Sequence, residues 1–123
     1  MKLINDLYKI VSSASIDDLP SFNIVLNKEH FIYNSHFPDN PITPGVCLIQ
    51  IGKELLETLL HKELEVFQVK NVKFLSIVSP LEASYISYRF DKICVIDDGC
   101  QVKTQIVVSN KNIQYAKISM ICK

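Results

Sequence analysis

The stretch Ser35-His36-Phe37-Pro38-Asp39-Asn40-Pro41-Ile42-Thr43-Pro44-Gly45-Val46 decides how the rest of the chain is read. It holds three of the five prolines and one of the three histidines. Proline locks φ and removes a backbone donor, so a Pro-x-x-Pro-x-x-Pro run is stiff, extended and non-helical. The run ends at Gly45, where the longest helical pattern of the chain begins. A segment stiffened just before a helix start positions what it carries, and here that is His36.

From Gly45 to about His61, at roughly 100° per residue, Leu48, Ile49, Ile51, Leu55, Leu56, Leu59 and Leu60 occupy one half of the helical wheel. Gln50, Lys53, Glu54, Glu57, Thr58 and His61 occupy the other, and Val46 and Cys47 break into the polar stripe at its N-terminal end. The first turn is therefore expected to be more deeply buried than the rest, with Gln50 at the boundary. The Lys53/Glu54/Glu57 stripe reads as a solvated or interface face.

N-terminal to this centre, Leu3, Ile4, Leu7, Ile10 and Val11 recur at helical spacing, which predicts a short helix over residues 2–11 and a loop over 12–20. Phe22 to Leu26 and Phe31 to Asn34 read as two short strands around Asn27-Lys28-Glu29. C-terminal to the helix the pattern is β throughout. Val66 to Leu75 is a strand with a phase break near Lys70-Asn71, and Ser84 to Ile96 is a longer one with Ile86, Tyr88 and Phe90 on one face. Asp98-Gly99 is a hairpin signal. Val102, Thr104, Ile106 and Val108 then alternate with polar residues, and Ala116, Ile118, Met120 and Cys122 mark the inner face of a last strand. Four such strands need one apolar face covered, and the long helix is the available cover. The reading is α+β, an antiparallel sheet wrapped around a long central helix, with residues 1–123 as one domain.

The 13 basic and 13 acidic residues balance, which argues against nucleic acid or an anionic membrane as the main partner and leaves self-association weakly opposed. No window approaches the roughly 20 apolar residues of a membrane span. Met1 to Asp6 lacks the apolar core and cleavage site of a signal peptide, so a cytoplasmic location is expected. Cys47, Cys94, Cys100 and Cys122 show no metal-ligand spacing and read as buried free thiols. His30 and His61 read as surface residues. Tyr85, Tyr88 and Phe90 read as core and dimer contacts, and no cofactor motif is visible.

His36-Phe37-Pro38-x-x-Pro41-x-x-Pro44-Gly45-Val46 before an apolar helix resembles the signature of the hot-dog-fold 3-hydroxyacyl-[acyl-carrier-protein] dehydratases. Val69-Lys70-Asn71-Val72-Lys73-Phe74-Leu75, with Pro80 after it, is similar to the strand that follows the helix in that family. Ser35 stands where a glycine is usual. The resemblance implies a hot-dog fold working as a homodimer or as half of a heterodimer, with sheets joined edge to edge and sites drawing on both chains. It also implies an acyl-carrier-protein substrate, dehydrated from 3-hydroxyacyl to trans-2-enoyl thioester in fatty acid synthesis or a related polyene or polyketide route, with no cofactor and no metal.

Such a reaction needs a base for the proton beside the thioester carbonyl, an acid for the departing hydroxyl and donors for the carbonyl oxygen. His36 suits the base, since imidazole titrates near neutral pH. The helix opening at Pro44-Gly45-Val46 supplies amides without intrahelical partners, and Gly45 has no side chain to block an approaching carbonyl. Phe37, Pro44, Gly45 and Val46 are thus expected at the substrate. By resemblance the acid lies fourteen residues after the histidine, and that position is Gln50. A neutral amide does not deliver a proton. Glu54 faces the same side but lies roughly 6 Å further along the axis, far for a direct substitute. Three readings remain open: a dehydratase with His36 as base and Gln50 in the acid position, a catalytically impaired acyl-binding subunit beside an active partner, and a thioesterase.

Overall fold

In a computed structural model, residues 2–35, 39–111 and 113–123 are described. The chain runs β1 (Tyr8–Ile16), β2 (Leu19–Leu26), α1 (Phe31–Ser35), α2 (Gly45–Leu60), β3 (Val66–Phe74), β4 (Tyr85–Ile96), β5 (Gln101–Asn110) and β6 (Ile113–Cys122). The six strands form one sheet in the order β1-β2-β4-β5-β6-β3. Every neighbouring pair is antiparallel. β3 is therefore carried past β4 and β5 to the far edge, where it pairs with β6.

The alternation in β4, β5 and β6 places Ile86, Tyr88, Phe90, Val102, Ile106, Val108, Ala116, Ile118, Met120 and Cys122 in the core, as the spacing predicts. α2 lies across this face through Leu48, Ile51, Leu55 and Leu56. Two contacts set its distance from the sheet. The buried Tyr88 hydroxyl donates to the Leu48 carbonyl at 2.8 Å. A Cβ on Gly52 would stand 2.9 Å from Ile106 Cδ1, so a larger residue here would have to push that methyl aside. The sheet with its covering helix is the expected α+β arrangement. No helix among the described residues is long and apolar enough to cross a membrane.

The N-terminal third departs from the expected layout. Residues 2–11 do not form a helix; β1 occupies Tyr8–Ile16 and pairs with β2. A register shift between Ile10 and Ser12 breaks the alternation, and this break is what imitates helical spacing. The expected loop over 12–20 is a hairpin whose turn residues Asp17 and Asp18 both have positive φ. Phe31–Ser35 is a helix, not a strand. His30, expected at the surface, is 5% exposed: its Nδ1 accepts from Ile32 N–H, and Nε2 lies 3.1 Å from Asp6 Oδ2. Nδ1 as acceptor leaves the proton on Nε2, which donates to Asp6. The thiols also divide. Cys47 and Cys122 are buried, Cys94 is half-buried and Cys100 is exposed. Burial pushes the Cys47 thiol up and the Cys122 thiol up to about 11, so both are held as inert thiols.

α2 ends at His61, which is exposed and holds a left-handed conformation with φ 56° while its N–H donates to the Glu57 carbonyl. Glycine takes that conformation without a Cβ penalty. His61→Gly should raise stability by about 0.5–1 kcal/mol in a urea titration. A loss of stability would mean that the imidazole holds contacts worth more than the strain.

Candidate functional site

The site is built where the proline segment enters α2. Its described part, Asp39 to Pro44, is tied down at Thr43, whose N–H donates to the Val78 carbonyl at 2.8 Å. The Thr43 hydroxyl lies 2.9 Å from the buried Tyr33 hydroxyl on α1. Pro41 and Thr43 are buried, whereas Asp39 and Asn40 face outward. The stiff run is thus anchored to α1 on one side and to the 78 region on the other. His36 and Phe37 lie outside the described residues.

Pro44 is the residue before the first helical turn, with φ −60° and ψ 145°, and among the described residues no side chain caps this end. Its carbonyl accepts from Cys47 and Leu48, so Gly45 and Val46 are the residues whose amides open the helix outward. A Cβ on Gly45 would overlap the Phe74 ring from β3. The glycine therefore serves close approach: it lets an aromatic from the edge strand lie over the helix start. Phe74 is half exposed and Val46 is 67% exposed. The expected deep burial of the first turn accordingly holds for Cys47 and Leu48 but not for Val46, which stands out from the single chain.

Gln50 lies half-buried at the boundary, as its place on the wheel predicts. Its Nε2 donates to Glu54 Oε2 at 2.8 Å. The stripe beyond it is not solvated. Lys53, Glu54 and Glu57 are 7%, 2% and 9% exposed, and residues 2–8 bond to Glu54 and Glu57. Glu54 accepts from Leu3 N–H and Ile4 N–H, each at 2.8 Å, and from the Tyr8 hydroxyl at 3.1 Å. Burial, followed by the charge of Glu54, pushes the Tyr8 phenol far above its ordinary range, so it stays a donor. Glu57 accepts from Leu64 N–H at 2.8 Å and pairs with Lys2 at 3.2 Å and Lys53 at 3.4 Å. Burial pushes the Glu57 carboxyl up, but the Leu64 amide and the two ammonium groups outweigh it and hold the carboxyl low.

These contacts remove Glu54 as a replacement acid, because it is anchored to the backbone of residues 3 and 4 and turned toward Tyr8. Sequence spacing flagged the Gln50/Glu54 pair only as neighbours one turn apart. Tyr8, Thr43, Tyr33 and Phe74 carried no functional signal, since each reaches the site through a contact across the fold.

Three clefts among the described residues lie elsewhere. One of about 360 Å³ sits on the sheet face away from α2, lined by Asn71, Lys73, Asp91, Gln105, Lys117 and Ser119. Two others, of about 360 and 440 Å³, flank the C-terminal half of α2 near Thr58 and His61. Gly45, Val46 and Gln50 line none of these three.

Comparison with known proteins places this geometry. Two curated relatives are a 3-hydroxyacyl-[acyl-carrier-protein] dehydratase FabZ of Rickettsia africae, 32% identical over 98 residues, and that of Rickettsia felis, 33% identical. Each match takes in 73% of this chain and 65% of the relative, so the chain spans just under two thirds of their length. Among solved structures, the dehydratase heterocomplex ApeI:P from Xenorhabdus doucetiae matches with a TM-score of 0.67 at 16% identity, over 93% of this chain and 96% of that one. An uncharacterised protein from Erwinia carotovora subsp. atroseptica matches with a TM-score of 0.58 at 14% identity, over 89% of both chains. The hot-dog fold expected from the proline motif is thus the observed one. The family model described as ApeI dehydratase covers residues 13–112, from β1 through the proline segment and α2 to the last hairpin, and the chain belongs to this ApeI-like dehydratase family.

Proposed function

We propose that this chain acts on 3-hydroxyacyl thioesters borne by acyl carrier protein and removes water to give the trans-2-enoyl thioester. The observation that carries the reading is the uncapped opening of α2 at Gly45, directly after the proline-stiffened His36 motif. In this reading the thioester oxygen accepts from the first amides of α2, which stabilises the charge that develops when the neighbouring carbon loses its proton. His36 takes that proton. The C3–O bond then breaks as the double bond forms, and the departing oxygen needs a proton to leave as water. Gln50 has none to give. The imidazolium formed at His36 holds one, and returning it to the leaving hydroxyl balances the step. The relatives named above as 3-hydroxyacyl-[acyl-carrier-protein] dehydratases support the same substrate class.

A specific observation also favours a second hot-dog chain as partner. β3 is an edge strand that exposes Phe67, Val69 and Phe74 at 50%, 40% and 52%, with Leu75 half exposed beside them. An open edge bearing such residues calls for pairing. Pairing there would also cover Phe74 and the mouth of α2. A partner with a carboxylic acid at the position matching Gln50 would supply the stronger acid, and a heterodimer is the form in which Gln50 costs least.

The test is incubation of the purified chain with a 3-hydroxyacyl thioester of acyl carrier protein, read by intact mass. Loss of one water is expected, from the chain alone or only when a related hot-dog subunit is added. Release of the acyl group as free acid would move the assignment to a thioesterase. Unchanged substrate in both preparations would sink the reading.

A further inference from the structure

We infer that Tyr33 is a positioning residue for this site: its bond to Thr43 ties together the two ends of the segment that carries His36, and so sets where the base stands. The inference rests on the dehydratase reading.

Tyr33 and Thr43 are ten residues apart, and His36 lies between them in the sequence. Each end is anchored independently of the other. At the first end, the His30 carbonyl accepts from the Tyr33 N–H and its Nδ1 accepts from the Ile32 N–H, each at 3.1 Å. The His30 ring is held in turn against Asp6. At the second end, the Thr43 N–H donates to the Val78 carbonyl, and Pro44 leads straight into α2. The 2.9 Å contact between the two hydroxyls joins these anchors side to side. Tyr33 is 2% exposed and Thr43 4%, so water does not compete for the bond.

A phenylalanine at position 33 would fill the same core space. What the phenol adds is a partner, and the partner is Thr43. Burial pushes the phenol up, so it stays neutral while an imidazole titrates. Pro38 and Pro41 lie between the ends, and a proline ring leaves the backbone one free dihedral. A stiff segment passes a displacement of one end along its length instead of absorbing it.

The consequence for catalysis is alignment of the base. In the dehydratase reading the thioester is held by the first amides of α2, and these do not depend on Tyr33. Loss of the bond therefore shifts His36 relative to a substrate whose own seat is unchanged. Such a change lowers kcat and leaves KM nearly as it was.

The experiment follows dehydration of a 3-hydroxyacyl thioester of acyl carrier protein, with any related hot-dog subunit that turnover requires. Tyr33→Phe should lower kcat by about 10- to 100-fold, the effect of displacing a reacting group by up to about an ångström. Thr43→Val should do the same, and the double variant should be no slower than either single one. Thr43→Ser, which keeps the hydroxyl, should retain most of the wild-type kcat. Thr104→Val removes a different buried hydroxyl, one that donates to the Lys92 carbonyl within the sheet at 2.8 Å. It should lower the melting temperature and leave kcat unchanged, which separates positioning from lost stability. A Tyr33→Phe kcat within about twofold of wild type would overturn the inference, being no more than the weakest net hydrogen bond. So would a double variant in which the two losses multiply, or a Thr43→Ser as slow as Thr43→Val. Should Tyr33→Phe not fold, the Thr43→Val and Thr43→Ser pair decides. A wild type that never releases water would overturn the dehydratase reading. The clip is then judged by hydrogen exchange at the Thr43 amide, which should quicken about 2- to 10-fold in Tyr33→Phe; unchanged exchange would refute it.

Discussion

Glu54→Leu should cost about 3–5 kcal/mol of stability, the order expected when several buried or part-buried donors lose one shared acceptor. Leucine comes close to the volume of the side chain it replaces, so the cost is not a cavity. It arises because the Leu3 and Ile4 amides and the Tyr8 hydroxyl lose their acceptor while buried, and each unsatisfied group costs about 1–3 kcal/mol. The chain can limit this loss by releasing residues 2–8 to water, which uncovers position 54 and breaks the 3.2 Å pair of Lys2 with Glu57. Urea unfolding should therefore show a lower midpoint, and amide exchange at Leu3 and Ile4 should rise toward that of an open chain. A loss below about 1 kcal/mol would mean that the four-donor network contributes little to the fold. Against a typical total of about 5–15 kcal/mol, the expected loss would leave a protein sensitive to modest warming.

His36→Ala should lower kcat for dehydration by about 10²–10⁴, the usual worth of a positioned acid or base. At about 1.4 kcal/mol per factor of ten, this is about 2.7–5.5 kcal/mol of lost transition-state stabilisation. The upper end is the more apt one if the same imidazole both takes and returns the proton, because no other group named at this site replaces either step. Binding of a saturated acyl thioester should change little, since the amides at the start of α2 remain. The measurement is initial rate against substrate concentration, with thermal melting to show that the variant is folded. A fall of less than tenfold would remove His36 from the chemistry and leave the helix opening as a binding site only.

The residues of α2 explain why so much of the centre was legible beforehand. Its apolar side chains recur at helical spacing over four turns, and such a stripe has one stable use, which is to lie on an apolar face. β4, β5 and β6 were legible for the matching reason, because strict alternation admits only one face toward the helix. Gln50 could be placed at the boundary of buried and wet from its wheel position alone. Its distance from His36 along the sequence was enough to show that an amide stands where an acid is expected.

The misread segments share a different property, in that their conformation depends on partners distant in sequence. Residues 2–11 have helical spacing, yet Tyr8–Ile16 becomes a strand because β2 is available beside it and a bulge at Ile10 shifts the pattern. The Lys53/Glu54/Glu57 stripe reads as solvated on any helical wheel. Its Glu54 is covered because the backbone of residues 3 and 4, fifty-one and fifty residues away, ends on that carboxylate. β3 precedes β4 in the chain but pairs with β6 at the far edge of the sheet.

The amino-acid sequence by itself determined the central helix, the strands that it covers, the stiffened segment at its start and the amide at position 50. These follow from local periodicity and from the fixed dihedral of proline, which act within a few residues. Tertiary structure alone decided that Phe74 lies over Gly45, that the polar stripe is internal, and that Glu54 holds the nitrogen end of Gln50. Those outcomes depend on burial and on pairing donors with acceptors across the fold, which no window of sequence contains.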